Sequence, residues 1–133
     1  MIKALIFDFD GLIMDTESPE VDGWQAIYAE YGQEFPLQVW IRDVVGSTIA
    51  NFDPAAHLAA LTGLTLDQEA LRTRMRVYRL QKLESLPARP GVPEYLMAAR
   101  RSGLRLAVAT SSGHAWVEGY LRQLGLLDDF DVI

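Results

Sequence analysis

The feature that most constrains the fold is a short apolar run that ends in two closely spaced carboxylates. Residues 4–7 are apolar, and Asp8, Phe9, Asp10 and Gly11 follow directly. Such a run predicts a strand buried on both faces, as in the parallel sheets of α/β proteins. Residues i and i+2 of an extended chain point to the same side, so both carboxylates are expected at one spot. That spot lies beyond the carboxyl end of a strand, where open α/β sheets bind their ligands.

Two carboxylates this close repel each other unless a cation or a shared proton relieves the repulsion. Mg²⁺ suits the pair because it takes oxygen ligands and keeps water molecules that a phosphate can replace. A polar turn that merely closes a strand is an alternative interpretation. A calcium-binding EF-hand loop is another, with Asp8, Asp10, Gly11 and Glu17 at positions 3, 5, 6 and 12. It is disfavoured because Ile6 would occupy position 1 and too few residues precede it for an entering helix.

A second polar turn follows a second apolar stretch. Residues 104–109 form that stretch, and Thr110, Ser111, Ser112 and Gly113 come after it. The Thr110 hydroxyl and the amides of the turn are suited to donate to phosphate oxygens at the start of a helix. Taken alone, the segment is equally consistent with an ordinary helix N-cap.

The strings DFDGLIMDTE (residues 8–17) and ATSSG (residues 109–113) together resemble motifs I and II of the haloacid dehalogenase superfamily. The resemblance is to its helical-cap phosphatase and β-phosphoglucomutase-like branch. It implies that Asp8 is the nucleophile and a Mg²⁺ ligand. It also implies that Asp10 is the general acid/base, with its backbone carbonyl on the metal. Thr110, with Ser111 and Ser112, would bind the transferring phosphoryl group.

The residue types suit that chemistry. A carboxylate can accept a phosphoryl group as an aspartyl-phosphate, which divides one difficult displacement into two easier ones. Phosphoryl transfer depends mostly on positioning and charge stabilisation, which a metal ion and hydrogen-bond donors supply. A second acid must protonate the leaving alkoxide and later take a proton from water.

Helical periodicity predicts four helices between the two motifs. They begin near Ser18, Pro36, Asp53 and Thr65, and the last reaches about Leu86. Ser18 is the predicted N-cap of the first helix, and Thr65 with Gln68 is a predicted capping box. We expect these helices to form an all-helical cap domain over residues 18–86. The stripe Trp24, Tyr28 and Tyr31 is interpreted as the core of that domain.

The remaining segments alternate between helix and strand. Residues 93–101 and 114–124 are predicted helices, residues 104–109 a strand, and residues 130–133 the start of a third strand. The predicted fold class is therefore α/β. We expect a Rossmann-like parallel sheet core (residues 1–17 and 87–133), incomplete at the C-terminus, with the helical cap inserted into it. A cap so placed could close over the site and exclude water.

Further substrate-side candidates are Glu17, at the end of motif I, and residues 46–48. Gly46, Ser47 and Thr48 stand where the resembled enzymes carry a specificity loop. His114 adjoins the phosphate turn, although it reads more simply as a first-turn helix residue. The arginines of the fourth predicted helix are interpreted mainly as a solvated face.

Composition limits the kinds of partner and the cellular compartment that are expected. A net charge of −6 argues against nucleic acid or an anionic membrane as main partner. The chain has no cysteine and no recognisable signal peptide, so cytoplasm is the expected location. A small phosphorylated molecule is the expected partner.

The chain departs from the resembled pattern in one respect. The family also uses a motif III lysine and a motif IV acidic pair, and the only lysines are Lys3 and Lys82. Lys3 is at the wrong end of the first strand and Lys82 is in the predicted cap. We therefore expect a half-built metal site and an open edge on the first strand, against which a missing C-terminal part of the core would pack.

Two classes of function follow from the sequence. One is a Mg²⁺-dependent phosphomonoester hydrolase that acts on a sugar phosphate or a nucleoside monophosphate, with a phosphomutase of the same branch as its neighbour. The other is a non-catalytic fragment or pseudoenzyme.

Overall fold

The computed structural model describes residues 1–46 and 51–133. The described chain forms two compact units, which we call the α/β unit (Met1–Thr16 and Leu86–Ile133) and the helical unit (Glu17–Ser85). The elements are, in chain order, β1 (Ala4–Phe7), α1 (Ser18–Glu30), α2 (Leu37–Asp43), α3 (Pro54–Thr62), α4 (Gln68–Leu83), α5 (Val92–Arg101), β2 (Arg105–Val108) and α6 (His114–Gln123). In the described part of the chain, no helix is both long and apolar enough to cross a membrane.

The sheet of the α/β unit consists of β1 and β2, paired in parallel from Ala4–Arg105 to Phe7–Val108. The pairing continues beyond the strands, where the Ala109 amide donates to the Phe7 carbonyl at 2.8 Å. The carboxyl ends of both strands, and the polar turns that follow them, therefore lie side by side. The sequence prediction of a parallel sheet is confirmed.

The prediction that β1 is buried on both faces is wrong for the described chain. Ile6 exposes 70% of its surface, whereas Leu5 and Phe7 are half-buried. The Phe7 ring contacts the rings of Tyr95 and Phe130 edge-on at 6.2 and 5.9 Å. Packing thus covers the Phe7 side of β1, and the Ile6 side meets no comparable layer among the described residues.

The predicted third strand is present only as a single bridge. Val132 pairs in parallel with Ala107, and the Val108 amide donates to the Val132 carbonyl at 3.0 Å. The Asp131 carboxylate accepts the Leu106 amide at 2.8 Å. That hydrogen bond, together with Arg105 and Arg100 nearby, lowers the pKa of Asp131. The segment therefore runs alongside β2, but without a strand's length of pairing.

The helical unit is built around an aromatic and aliphatic core. Trp24, Ile27 and Tyr28 of α1 are buried in it with residues of the other three helices: Trp40, Ala55, Leu58, Leu71 and Met75. The Tyr28 hydroxyl donates to the Pro54 carbonyl at 2.8 Å, and burial raises the pKa of Tyr28 to about 12. The predicted core stripe on α1 is confirmed for Trp24 and Tyr28, and Tyr31 is partly buried against the same core.

Two predicted helix caps are wrong by one or two residues. Helix α1 begins at Ser18 itself, so Glu17 occupies the N-cap position. In α4 the capping side chain is Asp67, whose carboxylate accepts the Ala70 amide at 3.0 Å, rather than Thr65. An aspartate next to the first turn reaches a free amide without the extra residues that a Thr65 cap would need.

Candidate active site

The turn after β1 is shaped by the Phe9 carbonyl and Gly11. That carbonyl accepts the amides of Leu12, Ile13 and Met14 at 3.2, 3.0 and 3.4 Å. Gly11 adopts a φ of 75°, in the left-handed region that favours glycine, and its amide donates to the Met14 carbonyl at 2.8 Å. The chain thus reverses directly after the two aspartates, while Phe9 between them is fully buried.

Asp8 is the first residue beyond β1 and is exposed. One of its carboxylate oxygens accepts the Phe9 amide at 2.7 Å. This hydrogen bond fixes the side chain and leaves lone pairs on both oxygens for a further partner. Asp8 is therefore held in place and accessible, as a nucleophile or a metal ligand requires.

Asp10 has a different environment, because three side-chain donors surround its carboxylate. Oδ1 accepts the Thr16 hydroxyl at 2.8 Å and the Trp116 indole N–H at 3.3 Å. Oδ2 accepts the Ser112 hydroxyl at 2.5 Å. The Ser112 contact joins the two motifs across 102 residues of sequence. The structure therefore brings Asp10 and Ser112 together, as expected for two motifs that follow neighbouring parallel strands.

Thr110 is half-buried at the end of β2. Its hydroxyl oxygen accepts the Ser112 amide at 3.1 Å, which leaves the hydroxyl hydrogen to donate elsewhere. Ser111 is exposed in the same turn, and α6 begins three residues later. The turn thus presents hydroxyl groups near a helix start.

The other candidates are distributed differently. His114 is an exposed residue of the first turn of α6, with Nδ1 3.4 Å from a Glu118 oxygen. Glu17 and Gly46 belong to the helical unit, where Gly46 is exposed with a φ of 72°. Ser47 and Thr48 lie outside the described residues.

The arginines of α4 are largely paired with acids of the same unit, as a solvated face would be. Arg72 contacts Asp53, and Arg79 lies 3.1 Å from Glu20. Arg74 pairs with Glu30. Arg72 and Arg79 also line a cavity of about 330 Å³ within the helical unit, together with Trp24, Trp40, Met75 and Arg76.

Sequence reasoning missed Trp116 as a site residue. It stands four positions after Ser112, in the first turn of α6. The only signal was an aromatic N–H donor placed one turn beyond a hydroxyl-rich segment. The helical pattern of apolar residues does not distinguish such a tryptophan from an aromatic residue that packs in the core.

The described residues fit part of a Mg²⁺ site. No group of three or more acidic, histidine or cysteine side chains is arranged to hold a metal in the described ranges 1–46 and 51–133. Mg²⁺ demands near-octahedral oxygen coordination. Asp8 offers a carboxylate of the right chemical kind, whereas both Asp10 carboxylate oxygens already accept hydrogen bonds. The described residues thus supply oxygen ligands of the type that Mg²⁺ takes, but fewer than a complete site needs.

The chain belongs to the haloacid dehalogenase-like hydrolase family, whose model matches residues 5–133. It is 49% identical over its whole length to a Bacillus subtilis protein named "Putative phosphatase YhcW", of which it covers 60%. It is 32% identical over 131 residues to the fructose-1-phosphate phosphatase YqaB of Escherichia coli, covering 98% of this chain and 67% of that one.

Solved structures share the fold. A Thermotoga maritima crystal structure described as a "putative beta-phosphoglucomutase" has a TM-score of 0.71 at 26% identity, covering 98% of this chain and 60% of that chain. The chain thus spans about 60% of the length of several relatives that it matches. The prediction of a haloacid dehalogenase-like α/β fold is confirmed.

Proposed function

We propose that the whole protein containing this chain is a Mg²⁺-dependent phosphomonoester hydrolase that works through an aspartyl-phosphate. The observation that carries the proposal is the contrast between the two aspartates. Asp8 is accessible at the end of β1, and Asp10 is held by three donors where the two motifs meet. This contrast supports a reacting role for Asp8 and a proton-transfer role for Asp10.

In the first step, an Asp8 oxygen attacks the phosphorus of the substrate, and the bond from phosphorus to the leaving oxygen breaks. Asp10, in its acid form, gives its proton to that oxygen, so an alcohol departs. In the second step, Asp10 takes a proton from a water molecule as the water attacks phosphorus. Inorganic phosphate leaves, and Asp8 and the protonated Asp10 are restored.

The turn after β2 would hold the phosphoryl group. The Thr110 hydroxyl, whose oxygen already accepts the Ser112 amide, has its hydrogen available for a phosphate oxygen. Ser111 and Ser112 would add donors in the same turn. Because phosphoryl transfer depends on positioning and charge stabilisation, a set of hydrogen-bond donors at this turn is the expected contribution of the protein.

A bound Mg²⁺ would neutralise the charge that develops on the phosphoryl oxygens. The Asp8 carboxylate and the Asp10 backbone carbonyl are the ligands that this chain would supply. The other protein ligands, and a cation that offsets phosphate charge, would come from parts of the whole protein beyond the described residues. On the same reasoning, we propose that residues 18–86 act as a cap and that Glu17, Gly46, Ser47 and Thr48 contribute to substrate selection.

We propose a small phosphorylated metabolite as substrate, either a sugar phosphate or a nucleoside monophosphate. The name of the YqaB relative, a fructose-1-phosphate phosphatase, supports the first class. A phosphomutase is the second candidate, supported by the Thermotoga maritima structure. A mutase would pass the phosphoryl group to a second hydroxyl rather than to water, so the release of inorganic phosphate separates the two candidates.

The test compares the whole protein with three variants on para-nitrophenyl phosphate and on a simple alkyl phosphate. Asp8→Asn should abolish turnover of both, because it removes the nucleophile. Asp10→Asn should abolish alkyl phosphate turnover while retaining some phosphoenzyme formation from the aryl ester, whose leaving group needs little acid assistance. The exposed helical-unit variant Asp22→Asn is the control and should behave as wild type. Near-normal activity of Asp8→Asn would show that the covalent mechanism is wrong.

A further inference from the structure

We propose that the cavity of the helical unit is a binding site for a small monocarboxylate with an apolar body. The proposal does not rest on the phosphatase reaction, because every residue that lines this cavity belongs to the helical unit. The cavity volume is about 330 Å³. Small-molecule sites occupy about 300–1,000 Å³, so the cavity suits one compact molecule.

Much of the cavity wall is apolar. Aromatic and aliphatic side chains contribute to it from several elements of the unit: Trp24, Trp40, Val44, Phe52, Pro54 and Met75. Such a wall favours a ligand with an apolar body, because burial of apolar surface drives binding. It disfavours a sugar, whose hydroxyl groups would lose their hydrogen bonds to water without finding enough partners.

Five of the described residues that line the cavity are charged, and four of them form two ion pairs. Arg79 lies 3.1 Å from Glu20, and Arg72 lies 2.5 Å from Asp53. The fifth is Arg76, which is exposed and has no ion-pair or hydrogen-bond partner among the described residues. The wall therefore carries one uncompensated positive charge.

One guanidinium without an acid partner selects for a single negative charge. A carboxylate matches the planar donor edge of a guanidinium with two parallel hydrogen bonds. A phosphate group carries about two negative charges near neutral pH. Its second charge would be repelled by Glu20 and Asp53 in the same wall. The cavity thus suits a carboxylate better than the phosphorylated molecule proposed as substrate.

Trp40 provides a second observation that points to a ligand with an acceptor. Its side chain lines the cavity and is 3% exposed, and its indole N–H has no hydrogen-bond acceptor among the described residues. Buried donors are almost always paired, and an indole can only donate. A ligand that brings an oxygen acceptor into this wall therefore relieves a cost that a purely apolar ligand would leave in place.

The experiment is isothermal titration calorimetry of the whole protein with three probes. Cyclohexanecarboxylate carries one negative charge on a compact apolar ring, cyclohexanecarboxamide is its neutral counterpart, and inorganic phosphate is the competing anion. The carboxylate should bind at one site. The amide should bind at least about tenfold more weakly, which is the scale of one lost charge-assisted hydrogen bond. Inorganic phosphate should not displace the carboxylate.

Variants locate the binding site. Arg76→Gln should weaken binding of cyclohexanecarboxylate about tenfold and remove most of the preference over the amide. Arg74→Gln is the matched control on the same helix, because Arg74 pairs with Glu30 and lines a different cavity. Arg74→Gln should bind as wild type does. Asp8→Asn should also leave binding unchanged, because Asp8 belongs to the α/β unit.

Several outcomes would overturn the proposal. No binding of cyclohexanecarboxylate at millimolar concentration, equal binding of the carboxylate and the amide, or unchanged binding by Arg76→Gln would each do so. Displacement of the carboxylate by phosphate would assign the bound anion to a phosphate site instead. Loss of binding in Asp8→Asn would place the carboxylate at the candidate active site. The three probes are compared on the unmodified protein, so that comparison does not depend on the stability of any variant.

Discussion

Gly23, on the face of α1 that packs against α4, allows a quantitative test of the helical unit. A Cβ atom built at this position would lie 2.4 Å from the Met75 sulfur and 2.8 Å from Cδ1 of Tyr78. Both distances are shorter than the 3.0 Å below which real Cβ atoms are essentially never found. Met75 is buried at 4% exposure, so it has little room to move away. We therefore expect Gly23→Ala to destabilise the unit.

The magnitude is a difference between two effects. Alanine is favoured over glycine in a helix interior by about 1 kcal/mol. Overpacking a close contact costs about 1–3 kcal/mol. The net loss for Gly23→Ala is therefore about 1 kcal/mol, within a span of about 0–2 kcal/mol. The matched control is Gly119→Ala in α6, where a Cβ would meet nothing within 4 Å. That variant should gain up to about 1 kcal/mol.

The assay is urea unfolding followed by far-ultraviolet circular dichroism and tryptophan fluorescence. Trp24 and Trp40 report on the helical unit and Trp116 on the α/β unit, so transitions of the two units are distinguishable if they separate. Gly23→Ala should cost less stability in a Met75→Ala background than in the wild type, because the shorter side chain makes room for the new methyl group. A Gly23→Ala midpoint raised as far as that of Gly119→Ala would refute the packing argument.

The cap of α3, the metal and β1 each give one further prediction. Asp53→Ala should lower the free energy of unfolding at neutral pH by about 1 kcal/mol, because the Asp53 carboxylate accepts two amides at the start of α3. Burial opposes ionisation of Asp53, but its contacts with Arg72 and these amides outweigh burial and lower its pKa. The stabilisation by the ionised Asp53 carboxylate should therefore be complete above its ordinary pKa of 3.8 and disappear as the pH falls through the lowered pKa. A stability difference between Asp53→Ala and wild type that persisted in stronger acid would contradict this. Turnover by the whole protein should require Mg²⁺ and be inhibited by Ca²⁺, whose looser coordination misplaces the attack, and full activity in excess chelator would exclude the mechanism. The 133-residue chain by itself should hydrolyse phosphate esters negligibly. It should also self-associate through β1, where Ile6 is exposed. A monodisperse monomer in light scattering would contradict the expected self-association.

Local rules predicted the elements well. The predicted start of α3 near Asp53 is confirmed, because an N-cap carboxylate acts within the first turn of the helix that it begins. Gly63, in the left-handed region, ends the same helix by an equally local rule. The errors arose where packing, rather than the local sequence, decides the outcome. Thr65 and Asp67 are both acceptable caps, and only the packed position of α4 decides between them. The exposure of Ile6 could not be predicted from β1 alone, since it depends on which elements cover each face of the sheet.

The candidate site likewise has a part that the local sequence predicts and a part that depends on packing. That Asp8 and Asp10 follow a strand is a property of ten consecutive residues, and the sequence was sufficient to predict it. The hydrogen bonds that distinguish the two aspartates come from Thr16, Ser112 and Trp116, and two of these residues are about a hundred positions away. Sequence pattern predicts that parallel strand ends meet, but not which side chains then contact each other.

The Ser112 hydroxyl joins the two halves of the proposed mechanism, because it has a single hydrogen to donate. In the described structure that hydrogen goes to Oδ2 of Asp10. If Ser112 binds the phosphoryl group as proposed, the same hydrogen must turn to a phosphate oxygen. Oδ2 then loses the one side-chain donor that the described residues supply to it, while Oδ1 keeps both of its own. The single Ser112 hydrogen cannot serve Asp10 and the phosphoryl group at the same time. Binding of phosphate at the turn after β2 would thus change the hydrogen bonding of Asp10 on the turn after β1.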